Sequence, residues 1–355
     1  MDAQSSGRAA ELLERLVAIE SVTGGEAAVL EFVAERCRPG GFTASWIEVS
    51  PGRRNLFLHG GRAEVVLTTH ADTVPPFIAP RREGRLLYGR GACDAKASLA
   101  SMAGAVEALA SEGAPVGLLV LVGEERGSDG ALAANRKPHP HARFLVGGEP
   151  TGNAYVSGCK GALRFSVSAR GIAGHSSQEE GGRSAVPQLL DFLSDLRSLR
   201  FREDPVFGKT GLNIGVLEAG TAANVLAESA RADILVRTGV PVDEVLEAIL
   251  PIARGKVELE VAYRSEPARF RCPRGVRGEI VAYACDLPLL PAWGEPILVG
   301  PGSILDAHTA GEKVDLTQVE EAAILYAELT RGLLARGEEY LAPRGAFMEH
   351  SRRHP

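Results

Sequence analysis

Three short apolar runs, each ending in acidic or imidazole side chains, constrain this chain more than any other feature. Glu64–Thr69 stops at His70-Ala71-Asp72, Val116–Val122 at Gly123-Glu124-Glu125, and Phe144–Val146 at Gly147-Gly148-Glu149-Pro150. Continuous apolar runs without polar alternation read as strands buried on both faces of a largely parallel sheet. Ala95–Ser111, Ala-rich and helically periodic, lies between two of them, and helical spacing also marks Gly7–Ile19 and Glu26–Cys37. Two further short apolar segments, Ala44–Val49 and Asn55–His59, precede the first run. Alternation of this kind predicts an α/β domain. Ligands of open α/β sheets gather at the carboxyl ends of the strands, which is where these acids and His70 stand.

After Lys160 the texture changes. Leu163, Phe165 and Val167 alternate with Arg164, Ser166 and Ser168, as in a half-exposed strand. A helix at Ala185–Leu199, strands at Leu212–Leu217 and Arg231–Val236, a helix at Val242–Ala253 and a strand at Lys256–Tyr263 follow. That β-α-β-β-α-β order is that of a small split βαβ domain. From Cys272 the α/β texture returns and ends in a long helix, Leu316 to Arg336. The expected layout is nested: residues 1–160 and 267–355 form the larger domain and residues 161–266 are inserted into it. His350–Pro355 reads as a frayed tail.

The length of 355 residues fits two domains at about 150 each. A net charge of −6 argues against nucleic acid as a partner, and 5% aromatic residues leave little for a base-stacking platform. The N-terminal segment carries charges where a signal peptide needs an apolar core. The longest apolar run, Gly117–Gly123, is far short of the ~20 residues that cross a bilayer. Cys37, Cys93, Cys159, Cys272 and Cys285 contain no CxxC pair, so no disulfide framework is expected and a cytoplasmic location fits.

Taken singly, the acids have bland readings. Asp94 alone would be a helix N-cap, and His70 alone a hydrogen-bonded core histidine. Together they do not, because several carboxylates at one sheet edge repel unless a cation sits among them. One geometric condition follows. Adjacent strand residues point to opposite faces, so Glu124 and Glu125 share a site only if the strand ends in a turn.

The phrases Thr69-His70-Ala71-Asp72-Thr73-Val74-Pro75, Gly89-Arg90-Gly91-Ala92-Cys93-Asp94-Ala95-Lys96, Gly123-Glu124-Glu125, Gly148-Glu149-Pro150-Thr151 and Ala307-His308-Thr309 occur in this order. In that order they resemble the M20 family of di-metal amidohydrolases, which includes aminoacylases, carboxypeptidases and deacylases. The resemblance spans nearly the whole chain. It implies a di-zinc exopeptidase-like catalytic domain, with the insert as a lid and dimerisation domain. It also implies two divalent ions per chain, zinc or alternatively cobalt. Asp94 would bridge them, His70 and Glu149 would complete one site, and Glu125 and His308 the other. Imidazole and carboxylate donors suit such ions. Asp72 would orient His70 through its other ring nitrogen, and Glu124 would be the general base. His175, in Gly174-His175-Ser176-Ser177, resembles a lid histidine that stabilises the oxyanion in a partner's active site, which implies a homodimer. Asn224 and Arg237 resemble contacts to a substrate carboxylate. Ala97 and Ala310-Gly311 depart from the family's usual Gly and Pro, and neither change removes a ligand.

Within the family, the Gly89–Lys96 and Glu149–Thr151 phrases look most like the lysine and ornithine branch. Those enzymes release lysine or ornithine from an N-acetyl derivative or an amino-group carrier protein in lysine and arginine biosynthesis. A carrier substrate calls for a basic rim, for which Arg81, Arg82 and Arg85 are candidates. The alternatives are an acetylornithine or succinyl-diaminopimelate deacylase, and a general aminoacylase or carboxypeptidase. Of another class is a non-catalytic binding protein on this fold, which would carry a broken ligand set, and the set here is complete. A cysteine hydrolase using Cys93 is the remaining alternative.

Overall fold

The structure, a computed structural model, describes residues 3–177 and 181–343, so the tail at His350–Pro355 lies outside the described residues. The chain divides into two compact units. One comprises Met1–Ser157, Phe270–Glu279 and Cys285–Pro355, and the other Gly158–Arg269 and Ile280–Ala284. Ile280–Ala284, which the sequence pattern places with the larger domain, belongs to the second unit, where the Lys160 amide donates to the Val281 carbonyl.

In chain order the first unit begins with α1 (Ala3–Val17), α2 (Ala27–Cys37), β1 (Thr43–Ser50), β2 (Arg53–His59) and β3 (Val65–His70). It continues with α3 (Lys96–Ser111), β4 (Val116–Leu121), α4 (Asp129–Asn135) and β5 (Phe144–Gly147). The second unit contributes β6 (Gly161–Arg170), α5 (Val186–Ser198), β7 (Gly211–Ala219), β8 (Ser229–Thr238), α6 (Val242–Ala253) and β9 (Glu258–Ser265). The chain then returns for β10 (Glu295–Leu298) and α7 (Leu316–Arg336).

The main sheet of the first unit has the order β1-β2-β4-β3-β5-β10. β4, β3, β5 and β10 are parallel, while β1 and β2 form an antiparallel hairpin at one edge. Every residue of β3 and β4 is buried, which is why these strands read as unbroken apolar runs. Helices cover the sheet, and α3 is buried almost all round. Its alanines and Gly104 let neighbours approach closely: a Cβ on Gly104 would touch Ala9 of α1 and Ala323 of α7. Register then aligns the strand ends, with His70 opposite Leu121 and Thr68 opposite Gly147. The acids that follow β3, β4 and β5 therefore emerge side by side.

Asn55, on β2, fixes the end of β4. Buried completely, it accepts the Val122 amide at 3.0 Å and donates to the Gly130 carbonyl at 2.8 Å. The second unit is an antiparallel sheet, β7-β8-β6-β9, whose core of Phe165, Val167, Ile234 and Val236 packs against Leu189 and Phe192 of α5 and Val245 and Ile249 of α6. The β-α-β-β-α-β order expected from the sequence is present. No helix among the described residues is long and apolar enough to cross a membrane.

Asn55→Ala would leave the Val122 amide and the Gly130 carbonyl buried without partners. Each such group costs about 1–3 kcal/mol, so urea denaturation should report a loss in that range or above. A loss below ~0.5 kcal/mol would show that water replaces the side chain.

Candidate metal centre

The site is built from the ends of β3, β4 and β5 and from two loops. His70 closes β3. Its Nδ1 donates to the Asp72 carbonyl at 3.0 Å, which leaves Nε2 facing Asp94 Oδ1 at 3.1 Å. The Asp72 carboxylate, fully buried, accepts from the Thr23 hydroxyl at 2.8 Å. It also accepts the amides of Glu124 at 3.1 Å and Glu125 at 3.2 Å. The turn required after β4 exists: Gly123 has φ +79°, and Glu124–Arg126 form one 3₁₀ turn. A Cβ on Gly123 would collide with the side chains of Asp129 and Arg53, so glycine is needed here for space as well as for conformation.

Two sets of candidate ligands result. His70, Asp94 and Glu149 offer donor atoms within 4.8 Å of one another, and Asp94, Glu125 and His308 do the same. Asp94 belongs to both. Its Oδ1 faces His70, and its Oδ2 lies 3.3 Å from His308 Nε2, which is also 2.9 Å from Glu125 Oε1. Asp94 does not cap α3, because Ala95 occupies the N-cap position and makes no side-chain cap.

The electrostatics fit cations. Desolvation, followed by His70's opposing pull and by neighbouring acids, leaves Glu124 and Glu149 well above the usual carboxylate range. Desolvation also raises Glu125. Asp94 moves the other way: burial would raise it, but hydrogen bonds to His308 and His70 hold it low. Hydrogen bonds to Asp94 and Glu125 push His308 up to about 10. Divalent cations placed among these donors would offset the same crowding of buried negative charge. The mixed imidazole and carboxylate donors suit divalent metal ions.

Three polar residues here escape sequence reading. Thr23 holds Asp72. Asp286 is buried, with desolvation raising it to about 6, and it adds to the negative field on Glu124 and Glu149. Glu312 is buried and accepts the amides of Gly91, Cys93 and Asp94 at 2.9, 3.1 and 3.2 Å. Thr23 and Glu312 stand in polar turns and Asp286 stands alone beside a short apolar turn, and none belongs to a motif that marks it as part of a site. Cys93 is not an activated nucleophile. Its thiol donates to the Ser303 carbonyl at 3.2 Å, and burial raises its pKa, opposing the thiolate.

The other predicted site residues lie in the second unit. His175 is exposed, and its strand Gly174–His175 pairs with Val225–Leu226. The Ser176 amide donates to the Asn224 carbonyl at 3.1 Å, so His175 and Asn224 share one turn region. His175 Nδ1 accepts the Ser177 amide at 3.2 Å, which leaves the ring proton on Nε2. Arg237 is half-buried near the far end of β8, opposite Ala162, and so stands apart from that turn.

The fold and these ligand groups define a metallopeptidase-type hydrolase, and the chain belongs to peptidase family M20/M25/M40, whose model matches residues 66–332. It is therefore an enzyme acting on amide or peptide bonds. A probable carboxypeptidase of Aspergillus clavatus is 37% identical over 372 residues, covering 90% of this chain and 81% of that protein. Among solved structures, the M20 metallo-carboxypeptidase Sso-CP2 of Sulfolobus solfataricus matches with a TM-score of 0.74 at 16% identity, covering 93% of this chain and 99% of that one. A dinuclear metal-binding M20 peptidase of Bacillus subtilis matches at 0.65 and 14% identity, covering 94% and 99%.

His308 offers a signed test. Its pKa rises from an ordinary 6.5 to about 10 in the metal-free fold. Its contribution to stability is thus fully present below about pH 6.5 and is lost as pH rises through 10. The gap in melting temperature between chelator-treated wild type and His308→Gln should shrink across that window; a constant gap would refute the ion pairing. Added cobalt should reverse the trend, because ligands bind metal in their deprotonated forms.

Proposed function

We propose that this chain is a two-metal carboxypeptidase-type amide hydrolase that releases a C-terminal residue from a small peptide or an N-acyl amino acid. The observation that carries this reading is Asp94, whose two oxygens face imidazoles from two different ligand groups. In this assignment Asp94 would serve both ions, His70 and Glu149 would hold one, and Glu125 and His308 would hold the other. Such ions, zinc or cobalt, would polarise the scissile carbonyl and acidify water. Asp72 keeps His70 in one tautomer and, through the Glu124 amide, fixes the base beside it. Glu124, its carboxyl raised by desolvation, takes a proton from the attacking water and passes it to the leaving amine.

His175 is assigned as the oxyanion donor, supplied by the second copy in a homodimer; its Nε2–H tautomer suits that role. Asn224, beside it, is assigned to the substrate carboxylate; Arg237, at the far end of β8, does not share that turn and takes no role in this assignment. Support for the carboxypeptidase reading comes from the naming of the curated relatives. A lysine- or ornithine-releasing role on a carrier protein rests on phrase resemblance alone. The arginines of its supposed basic rim are ion-paired, Arg81 with Glu83, Arg82 with Glu14 and Arg85 with Glu320. We place the enzyme in the cytoplasm, where its five buried cysteines would stay reduced.

The test combines a substrate panel with two variants. Cobalt-loaded protein should turn over N-acyl amino acids and dipeptides faster than lysine linked to a carrier protein; the reverse order would restore the lysine branch. Glu124→Gln should keep both metals and lose roughly 10²- to 10⁴-fold in kcat. His175→Ala should lose roughly 10²- to 10³-fold in kcat. Full activity in the Glu124 variant would end the general-base assignment.

A further inference from the structure

The loop that presents Asp94 has an unusual support. Gly91, at φ +83°, and the residues after it turn three backbone amides, those of Gly91, Cys93 and Asp94, onto one point. Converging amides of this kind form a concavity that attracts an anion. One oxygen of the buried Glu312 carboxylate fills it. The other oxygen pairs with Arg90 Nη1 at 2.6 Å, and the Glu312 carbonyl accepts the Gly89 amide at 3.0 Å. Arg90 is itself buried. It donates to the Pro76 carbonyl at 3.2 Å and to the Thr309 carbonyl at 3.2 Å, the residue next to His308.

The network joins two loops whose flanking segments, Leu86–Tyr88 and Lys313–Asp315, also pair as antiparallel strands. Asp94 hangs from Glu312 by its own amide, and His308 neighbours a carbonyl held by the arginine that Glu312 neutralises. We propose that Glu312 is a positioning residue, an internal anion that holds the Asp94 loop and the His308 loop in one arrangement so that a single carboxylate reaches both imidazoles. A buried ion pair retained only for stability can be replaced by apolar groups at little cost. This one cannot, because three inward-facing amides need an acceptor and the loop would rearrange to find one. Glu312 never touches substrate; it acts through Asp94. The consequence for metal rests on the two-metal reading above, whereas the loop clamp itself does not.

Full-length, cobalt-loaded wild type, Glu312→Ala and Glu312→Gln separate the two. Hydrogen exchange of peptides spanning residues 89–96 should speed up by about tenfold or more in Glu312→Ala, since each lost amide bond removes local protection. Chelator competition should show cobalt affinity lower by roughly 10- to 100-fold, the usual range for outer partners of ligands, with an altered visible cobalt spectrum. Glu312→Gln keeps an acceptor oxygen but sets an amide against Arg90, so it should fall between the two, and it carries the test if the alanine variant does not fold. Wild-type exchange in a folded variant would overturn the proposal. So would faster exchange with unchanged cobalt affinity and spectrum, which would mark Glu312 as merely structural. If wild type itself bound no cobalt, the two-metal reading would fail, and the exchange data alone would decide the clamp.

Discussion

Asp94 shares its two oxygens between His70, at the end of an early strand, and His308, near the end of the chain. That arrangement needs three separate segments to arrive within hydrogen-bond distance, and each is brought there by a different device. Parallel pairing delivers His70 in register with the end of β4. A backbone concavity around Glu312 delivers Asp94. The same buried Arg90–Glu312 pair steadies the turn that carries His308. Removing any one leaves a carboxylate without its imidazole in a poorly solvated pocket, where an unpaired charge is costly. The sheet core can be large and apolar because its function is to hold this charged cluster still.

Asp72 extends the same logic to the reacting groups. Its carboxylate contacts the His70 side of the cluster and also accepts the amides of Glu124 and Glu125. His70, Glu124 and Glu125, to which the proposed function gives two metal ligands and the general base, therefore all take their placement from one buried acid. The left-handed Gly123 makes this feasible, since it turns two adjacent acids off the strand, where they would otherwise point to opposite faces.

What the sequence made legible was local and periodic. Unbroken apolar runs marked β3, β4 and β5, and strict alternation marked β6, because burial on two faces or on one leaves a direct trace in residue type. The resemblance to a family located five candidate ligands, whose donor atoms the structure brings together in two groups. The missing parts are long-range. Glu312 sits in a charged turn, Gly311-Glu312-Lys313, that looks like solvent-facing sequence until its partners some 220 residues earlier are known; the Glu312–Gly91 bond spans 221 positions. Arg82 and Arg85 looked like a free basic rim because Glu14 and Glu320 lie 68 and 235 positions away. Pairings across such distances leave no periodic signature in the chain.

This asymmetry explains why reaction class was easier to reach than substrate. The candidate ligand set would serve the amide or peptide bond itself, and it draws on five side chains in fixed order, so it survives as readable phrases. Discrimination between an apolar C-terminal residue and a lysine attached to a carrier depends instead on the net field outside that set, which is a sum over ion pairs formed in the fold. Once Arg81, Arg82 and Arg85 are counted with their carboxylate partners, that rim carries little excess positive charge, and exposed pairs of this kind are screened further by salt. An acidic carrier would then gain little steering toward this face, whereas a small neutral or singly charged substrate needs none. The fold therefore bears on the substrate through the pairing of its surface charges, a property that emerges only after the chain is folded.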